Sequence, residues 1–267
     1  DKSYQFIHLD PPVVRSIEAS DARDYLFQFA KHNCKTEVNE MLIKGVSQYV
    51  GPDKLSLLEF IQPNFIKPNR ESQYFYFDKS CWLVTRDSVQ EIGYENIAHQ
   101  IWEEQNDIYN YSISPVGTNS HYLQFLINTS NFTWRKNPED ITPEEENENR
   151  VHLLSKLCAI GYMVMEAKDN NVARAVIGMD GKQSEVGETN GRSGKSLVGE
   201  LMRNVVPTTY IPGKRPDLFT DQFVWNDVQE NTKLVFIDDV LQNFNFEFLF
   251  PNITGDWTVN YKGGRRN

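Results

Sequence analysis

The chain has 267 residues, of which 39% are hydrophobic and 12% aromatic, and its formal net charge is −10 at pH 7. A chain of this length exceeds the usual size of one core, so we expect two domains. No apolar run is long enough to cross a bilayer, so we expect a soluble protein, and the acidic balance excludes a general coat for nucleic acid. The three cysteines and five histidines are scattered, which predicts reduced core thiols, a cytoplasmic protein and no zinc site.

The first half of the chain is predicted to be helical around one β-hairpin. Amphipathic spacing favours helices over 20–33, 38–46 and 53–61. Two aromatic stretches, 74–77 and 82–85, flank the polar triplet 78–80, which is typical of a hairpin. The aromatic side chains of this hairpin form either cross-strand pairs packed on the helices, which we favour, or a stacking platform for bases. We also expect helices over 97–105 and 120–128.

A further helix start is indicated by Thr142-Pro143-Glu144-Glu145, with a threonine cap, proline at the first position and a glutamate that can return the capping bond. We predict that this helix extends to about residue 167, and we interpret the acidic run 139–148 as a solvated linker or helix start. The apolar run 172–179 predicts a strand. We place a domain boundary near Asn137, which gives a mixed α+β domain at 1–136 and a second domain at 137–267.

The segment 189–196 is typical of a phosphate-binding loop that opens a helix. Backbone N–H groups around Gly191 and Gly194 would surround the β- and γ-phosphates, and the Lys195 ammonium would reach the same oxygens. The Ser196 hydroxyl would hold Mg²⁺. Taken alone, such a loop is also compatible with an ordinary helix cap. The candidate nucleotide-binding residues are Thr189, Asn190, Gly191, Arg192, Ser193, Gly194, Lys195 and Ser196.

A second motif supports nucleotide binding. The apolar run 234–237 ends in Asp238 and Asp239, which predicts a buried parallel strand that delivers two carboxylates to its C-terminal edge. Asp238 would hold Mg²⁺ directly or through water, and Asp239 would orient or deprotonate the attacking water. By itself this pattern is also typical of a strand followed by an Asp-rich turn. Together the two motifs predict an α/β protein with a P-loop ATPase core that uses ATP and Mg²⁺, with Lys195, Asp238 and Asp239 as catalytic residues.

In the order of these parts the chain resembles the superfamily 3 helicases of viruses, phages and mobile elements, in the branch where the motor follows a primase. Residues 191–197 look like the first motif of that family, and 234–240 look like its second. Residues 253–262 are similar to the additional motif in which Gly-Asp precedes a β-hairpin with a DNA-facing lysine, here Lys262. The likeness is clearest over 172–267 and fainter at 75–85 and 160–162.

The resemblance implies an AAA+-like core at 137–267, preceded at 1–136 by a region that connects primase to helicase. It implies a hexameric ring that moves along single-stranded DNA, a primase domain or protein as a further partner, and a prokaryotic or phage-infected cell. Lys262 would bind DNA, although its basic surroundings at 255–267 also suit a solvated hairpin. Because the chain begins with Asp1 and ends at Asn267, we expect a fragment, truncated before the sensor strand and arginine finger and therefore inactive alone.

Two departures from the family pattern bear on hydrolysis. Thr189 stands where glycine is usual, and Asp239 stands where many relatives carry glutamate, so hydrolysis is expected to be slow. We favour an ATP-dependent helicase motor of phage or mobile-element replication. The first alternative is a nucleotide-gated assembly or loader module with weak hydrolysis. The second is a P-loop kinase for a small molecule, which lacks a visible arginine-rich lid.

Overall fold

The computed structural model describes residues 5–33, 36–106, 111–113, 120–169, 171–179, 194–229, 231–241 and 243–260. These residues form a mixed α/β protein that divides into two compact units. The first unit is drawn from Asp1–Lys67, Tyr76–Cys81 and Glu91–Asn110, and the second from Pro68–Phe75, Trp82–Gln90 and Tyr111–Asn267. The second unit holds residues on both sides of Asn137, and the domain boundary predicted there remains a prediction.

The described residues form short strands and helices. The strands are β1 (Phe6–Asp10), β2 (Val13–Ile17), β3 (Ser72–Tyr76), β4 (Ser80–Thr85), β5 (Val89–Gly93), β6 (Ile101–Trp102), β7 (Thr208–Pro212) and β8 (Leu234–Asp238). The helices are α1 (Ala19–Asn33), α2 (Thr36–Tyr49), α3 (Pro52–Leu55), α4 (His121–Ser130), α5 (Pro143–Val164), α6 (Lys195–Met202) and α7 (Phe250–Thr254). The sheets have the orders β1-β2-β6, β3-β4-β5 and β7-β8.

The predicted elements with strong local signals are confirmed. Helices α1 and α2 cover the amphipathic segments, and α4 begins where Ser120 accepts a hydrogen bond from the N–H of Leu123 at 3.3 Å. Strands β3 and β4 form the predicted hairpin, with the N–H of Phe77 donating to the carbonyl of Ser80 at 3.0 Å. These elements need only the side chains of one short segment, which is why their sequences predict them.

Helix α5 begins at the predicted capping box. Thr142 Oγ1 accepts a hydrogen bond from the N–H of Glu145 at 3.3 Å, and Glu145 Oε2 accepts one from the N–H of Thr142 at 3.2 Å. The helix ends at Val164, three residues before the predicted end. The two reciprocal bonds satisfy donors that every helix leaves unpaired in its first turn.

One predicted element is shorter than predicted and two are wrong. The helix over 53–61 stops at Leu55, and Leu57 beyond it is 78% exposed, so no apolar face extends the helix. The segment 97–105 contains strand β6 and a single 3-10 turn at Glu103–Gln105 instead of an α-helix, because Ile101 is buried and pairs with Val13 of β2. The apolar run 172–179 has no regular structure, and Met179 is 80% exposed.

The cysteine prediction is confirmed at one position and wrong at another. Cys81 is fully buried, and burial raises the pKa of its thiol to about 11. Cys158 is exposed on α5, because it lies on the part of that helix that carries Leu154 and Leu157 outward. Cys34 lies outside the described residues.

Strands β7 and β8 organise the core of the second unit. They are parallel, with Tyr210 opposite Phe236 and Pro212 opposite Asp238. Since side chains alternate along a strand, Ile211 points to the opposite face from Tyr210. On that face a buried cluster forms. Its members are Ile211, Leu218, Val224, Trp225, Val228, Phe244 and Val259, with Val235 and Ile237 packed against them.

Strand β8 confirms the parallel strand predicted before Asp238, but the strand is less buried than predicted. All five of its residues are partly exposed. Within the described residues β8 pairs with one strand, β7, and a strand at an edge keeps more solvent contact than one flanked on both sides.

Candidate functional site

The described end of the candidate phosphate-binding loop turns directly into helix α6. Gly194 is the N-cap residue and has φ 81° and ψ 9°, a left-handed conformation that favours glycine. A Cβ at this position would lie 2.7 Å from two ring atoms of Phe125 on α4. The loop therefore requires glycine here for two independent reasons. The candidate residues Thr189, Asn190, Gly191, Arg192 and Ser193 lie outside the described residues.

Helix α6 is held against β8 by a close contact between Gly199 and Phe236. A Cβ at Gly199 would lie 2.5 Å from the Phe236 ring, so only glycine permits this approach. Phe236 and Asp238 are two residues apart and share one face of the sheet. Ser196 and Gly199 are three residues apart and share one face of the helix. The packing at Gly199 and Phe236 thus brings Ser196 toward Asp238.

Ser196 and Asp238, which are each predicted to hold Mg²⁺, are in contact in the structure. Ser196 Oγ donates a hydrogen bond to Asp238 Oδ1 at 2.9 Å. Tyr210, on the neighbouring strand β7, donates from its hydroxyl to the other oxygen, Asp238 Oδ2, at 3.1 Å. Both oxygens of the carboxylate are therefore oriented by a neutral donor.

The backbone at the end of β8 is fixed by the turn that follows β7. The N–H of Gly213 donates to the carbonyl of Asp238 at 2.6 Å, and a Cβ on Gly213 would lie 2.6 Å from that same oxygen. This contact requires glycine and locks the position from which the Asp238 side chain projects.

Asp239 has a different environment from Asp238. Its φ of 57° places it in the left-handed region, where the chain turns away from the strand. Its carboxylate lies 2.6 Å from the ammonium of Lys214, and the two side chains are 67% and 56% exposed. The structure thus brings Asp239 to the strand edge in an ion pair with Lys214, and not to the hydrogen bonds shared by Ser196 and Asp238.

Lys195 is the first residue of α6 and its side chain is exposed. The Cδ atom of Lys195 lies 3.9 Å from the position that a Cβ would take at Gly178. The irregular segment 171–179 therefore passes beside the lysine stem, although it is not the predicted strand.

The local electrostatics around Asp238 keep the phenol of Tyr210 protonated. Burial first, and then the hydrogen bond and charge of Asp238, raise the pKa of Tyr210. Glu200 and Asp239 add negative charge in the same direction. Tyr210 therefore acts as a donor to Asp238 at all ordinary pH values.

The donor chemistry of the site suits a hard cation. A serine hydroxyl and a carboxylate oxygen are ligands that Mg²⁺ accepts, usually with few protein ligands and several non-protein oxygens. Within the described ranges no group of three or more His, Cys, Asp or Glu side chains is arranged to hold a metal. A cation here would contact Ser196 and Asp238.

Two residues of this site, Tyr210 and Lys214, were not predicted from the sequence. Strand β7 has a detectable signal, since Thr208-Thr209-Tyr210-Ile211 is rich in β-branched and aromatic residues and ends at Pro212-Gly213. That signal identifies a strand but not its neighbour, so it could not place Tyr210 beside Asp238.

Lys262 lies outside the described residues. The described residues 256–260 that precede it contain no strand. Trp257 packs edge to face on Trp225 with ring centroids 4.8 Å apart, and Val259 is buried in the core cluster. Lys168 also donates to the carbonyl of Gly255 at 2.9 Å. Residues 255–259, which precede Lys262 in the chain, are therefore held against other residues of the second unit.

None of the described helices has the length and apolarity needed to span a membrane. No protein-family model, curated protein or solved structure matches the chain.

Proposed function

We propose that the protein is a P-loop ATPase that binds ATP with Mg²⁺ and serves as a DNA helicase motor in phage or mobile-element replication. The observation that carries the proposal is the 2.9 Å hydrogen bond from Ser196 to Asp238. Nucleotide binding requires these two residues, 42 positions apart, to share one cation, and an ordinary helix cap would not require them to meet.

The first turn of α6 supports phosphate binding. Its N-cap, Gly194, makes no side-chain capping bond, and the first turn carries no acidic residue. Helix N–H groups and the positive end of the helix dipole favour an anion at this place. Lys195 would pair with phosphate oxygens as well. A bound Mg²⁺ would neutralise negative charge on the β- and γ-phosphates.

Asp239 is proposed to orient the attacking water, but its ion pair with Lys214 favours a second candidate function. Asp239 Oδ2 accepts a hydrogen bond from the Lys214 ammonium at 2.6 Å, so this oxygen is already engaged by a protein group. This contact supports the nucleotide-gated assembly or loader module, in which ATP binds and is hydrolysed poorly. The variant Lys214→Met separates the ATPase motor from the assembly module. ATP turnover in the intact protein should rise in this variant only if the ion pair keeps Asp239 from acting on the attacking water.

The DNA part of the proposal rests on the resemblance of residues 253–262 to the helicase motif with a DNA-facing lysine. The hexameric ring and the primase partner rest on the same resemblance. The anchored segment 255–260 is compatible with Lys262 being presented from a fixed base.

The test of nucleotide binding is the variant Lys195→Ala. We expect its affinity for a fluorescent ATP analogue with Mg²⁺ to fall by about tenfold or more, since a hydrogen bond to a charged group contributes roughly 1.5–3 kcal/mol. Thermal unfolding should be unchanged, because an exposed lysine contributes little to stability. The matched control is Lys67→Ala, which removes an exposed lysine of the first unit. If Lys195→Ala and the unmodified protein bind the ATP analogue equally well, the loop before α6 is only a helix cap and the proposal is wrong.

A further inference from the structure

The carboxylate of Asp238 accepts one hydroxyl hydrogen bond on each oxygen, from Ser196 on Oδ1 and from Tyr210 on Oδ2. Ser196 is a predicted cation ligand, whereas Tyr210 is a donor to Asp238 that the proposed function does not use. Oδ1 of Asp238 therefore faces α6, and Oδ2 faces β7.

Tyr210 reaches Asp238 because of the strand register. It lies opposite Phe236, and Asp238 follows Phe236 by two residues on the same face of the sheet. Two residues of a strand span about 6.6 Å, a distance that a tyrosine leaning along the strand can cover with its ring and hydroxyl.

The packing of the Tyr210 ring does not require its hydroxyl. The ring contacts the Phe236 ring in a tilted arrangement with centroids 5.9 Å apart. This contact is between two rings and does not involve the Tyr210 hydroxyl. The Tyr210 side chain is partly exposed, so phenylalanine would fit the same space. The contact that only tyrosine provides is the bond to Asp238.

We propose that Tyr210 is a positioning residue that engages Oδ2 of Asp238, so that a cation shared with Ser196 meets only Oδ1, and that it thereby makes the site prefer Mg²⁺ to Ca²⁺. Mg²⁺ is held through single carboxylate oxygens, whereas Ca²⁺ commonly takes both oxygens of one carboxylate at 2.3–2.6 Å. Since Oδ2 is engaged by Tyr210, two-oxygen binding of Ca²⁺ requires loss of that hydrogen bond. This inference rests on the proposed function, because it concerns the cation of the bound nucleotide.

The experiment compares binding of a fluorescent ATP analogue in Mg²⁺ and in Ca²⁺. In the unmodified protein Mg²⁺ should support tighter binding than Ca²⁺. In Tyr210→Phe the ratio of the two affinities should fall by about fivefold, the size expected for one hydrogen bond to a charged group at a partly exposed position. This ratio is independent of turnover and would not change if Tyr210 served only to pack against Phe236.

The matched control is Tyr162→Phe. It removes the same atom from a tyrosine whose hydroxyl contacts the backbone of Arg174, at 2.9 Å to the nitrogen and 3.3 Å to the oxygen. Its Mg²⁺ to Ca²⁺ ratio should equal that of the unmodified protein.

The outcomes separate the two proposals. Absence of analogue binding by the unmodified protein with either cation overturns the proposed function and the role of Tyr210 together. Binding that favours Mg²⁺ equally in the unmodified protein and in Tyr210→Phe overturns the role of Tyr210 alone. An equal fall in both tyrosine variants also overturns it, because the effect would not depend on Asp238.

Discussion

Helices α5 and α6 of the second unit begin in opposite ways. Helix α5 starts with the capping box of Thr142 and Glu145, and its first turn carries three glutamates, Glu144, Glu145 and Glu146. Helix α6 starts at a left-handed glycine, Gly194, without a side-chain capping bond and without an acidic residue in the first turn.

The comparison shows how a helix start that serves the fold differs from one suited to a ligand. Every helix exposes unpaired N–H groups and a partial positive charge at this end. Helix α5 satisfies both with its own threonine and glutamates. Helix α6 begins after a glycine, which has no side chain to cap it, and its first residue is Lys195, which is the start that the proposed phosphate site would use.

The largest effect is expected from Gly194→Ala. A left-handed conformation costs a residue with a Cβ about 1–2 kcal/mol, and the new methyl group also meets the Phe125 ring. Both stability, measured by urea unfolding, and affinity for Mg-ATP should fall. The control is Gly161→Ala on α5, where a Cβ meets nothing within 4 Å and the helix should be stabilised by up to about 1 kcal/mol. Equal unfolding midpoints for Gly194→Ala and the unmodified protein would contradict the strained cap.

Ser196→Ala should separate binding from stability at α6. It removes the hydroxyl that donates to Asp238, so we expect the gain in ATP affinity on adding Mg²⁺ to fall by about tenfold. Unfolding in urea should change little, because Ser196 is exposed. An unchanged Mg²⁺ dependence would remove Ser196 from the cation site.

Thr142→Ala should have the reverse pattern at α5. Loss of a threonine cap costs about 1 kcal/mol, so the urea midpoint should fall while ATP affinity stays constant. The control is Thr220→Ala, which removes an exposed hydroxyl outside any helix cap. Thr133→Ala is less suitable because Thr133 is buried. A loss of ATP affinity in Thr142→Ala would show that the two helix starts are not independent.

The stabilisation of α5 should depend on pH through Glu145. The hydrogen bond from Lys136, followed by that from the backbone of Thr142, holds the pKa of Glu145 below its ordinary value of 4.5. A lowered pKa in the folded state contributes stability above pH 4.5, and that stability is lost as the pH falls through the lowered pKa. Glu145→Gln should therefore unfold at lower urea than the unmodified protein at pH 7. A difference that persisted undiminished in strong acid would contradict this.

The smallest effect is expected from Lys262→Ala. If Lys262 contacts a phosphate of single-stranded DNA, its removal should lower the slope of log affinity against log salt by about 0.7. ATP binding should survive. Fluorescence anisotropy with a labelled oligonucleotide over a salt series measures both DNA affinity and slope. Unchanged values would favour the nucleotide-gated assembly module over the helicase motor.

The sequence predicted the features of this comparison that depend on one short segment. The Thr142 to Glu145 capping box and the presence of a helix directly after the loop 189–196 were predicted because helix starts depend on neighbouring residues. The approach of Ser196 to Asp238 was predicted only by combining two motifs under the hypothesis of a shared cation. Segment 97–105 was mispredicted because pairing of Ile101 with β2, far away in the chain, outweighed its helical spacing.

For this protein, then, the sequence alone determined the capping box at Thr142, the helix after the loop 189–196 and the two carboxylates at a strand end, because each is a local preference of the backbone. The tertiary structure decided what those carboxylates contact. Packing of Gly199 on Phe236 sets Ser196 beside Asp238, the register of β7 on β8 gives the second oxygen to Tyr210, and the turn at Asp239 directs its side chain to Lys214. These contacts join segments distant in sequence, and only strand pairing and side-chain packing specify which of them meet.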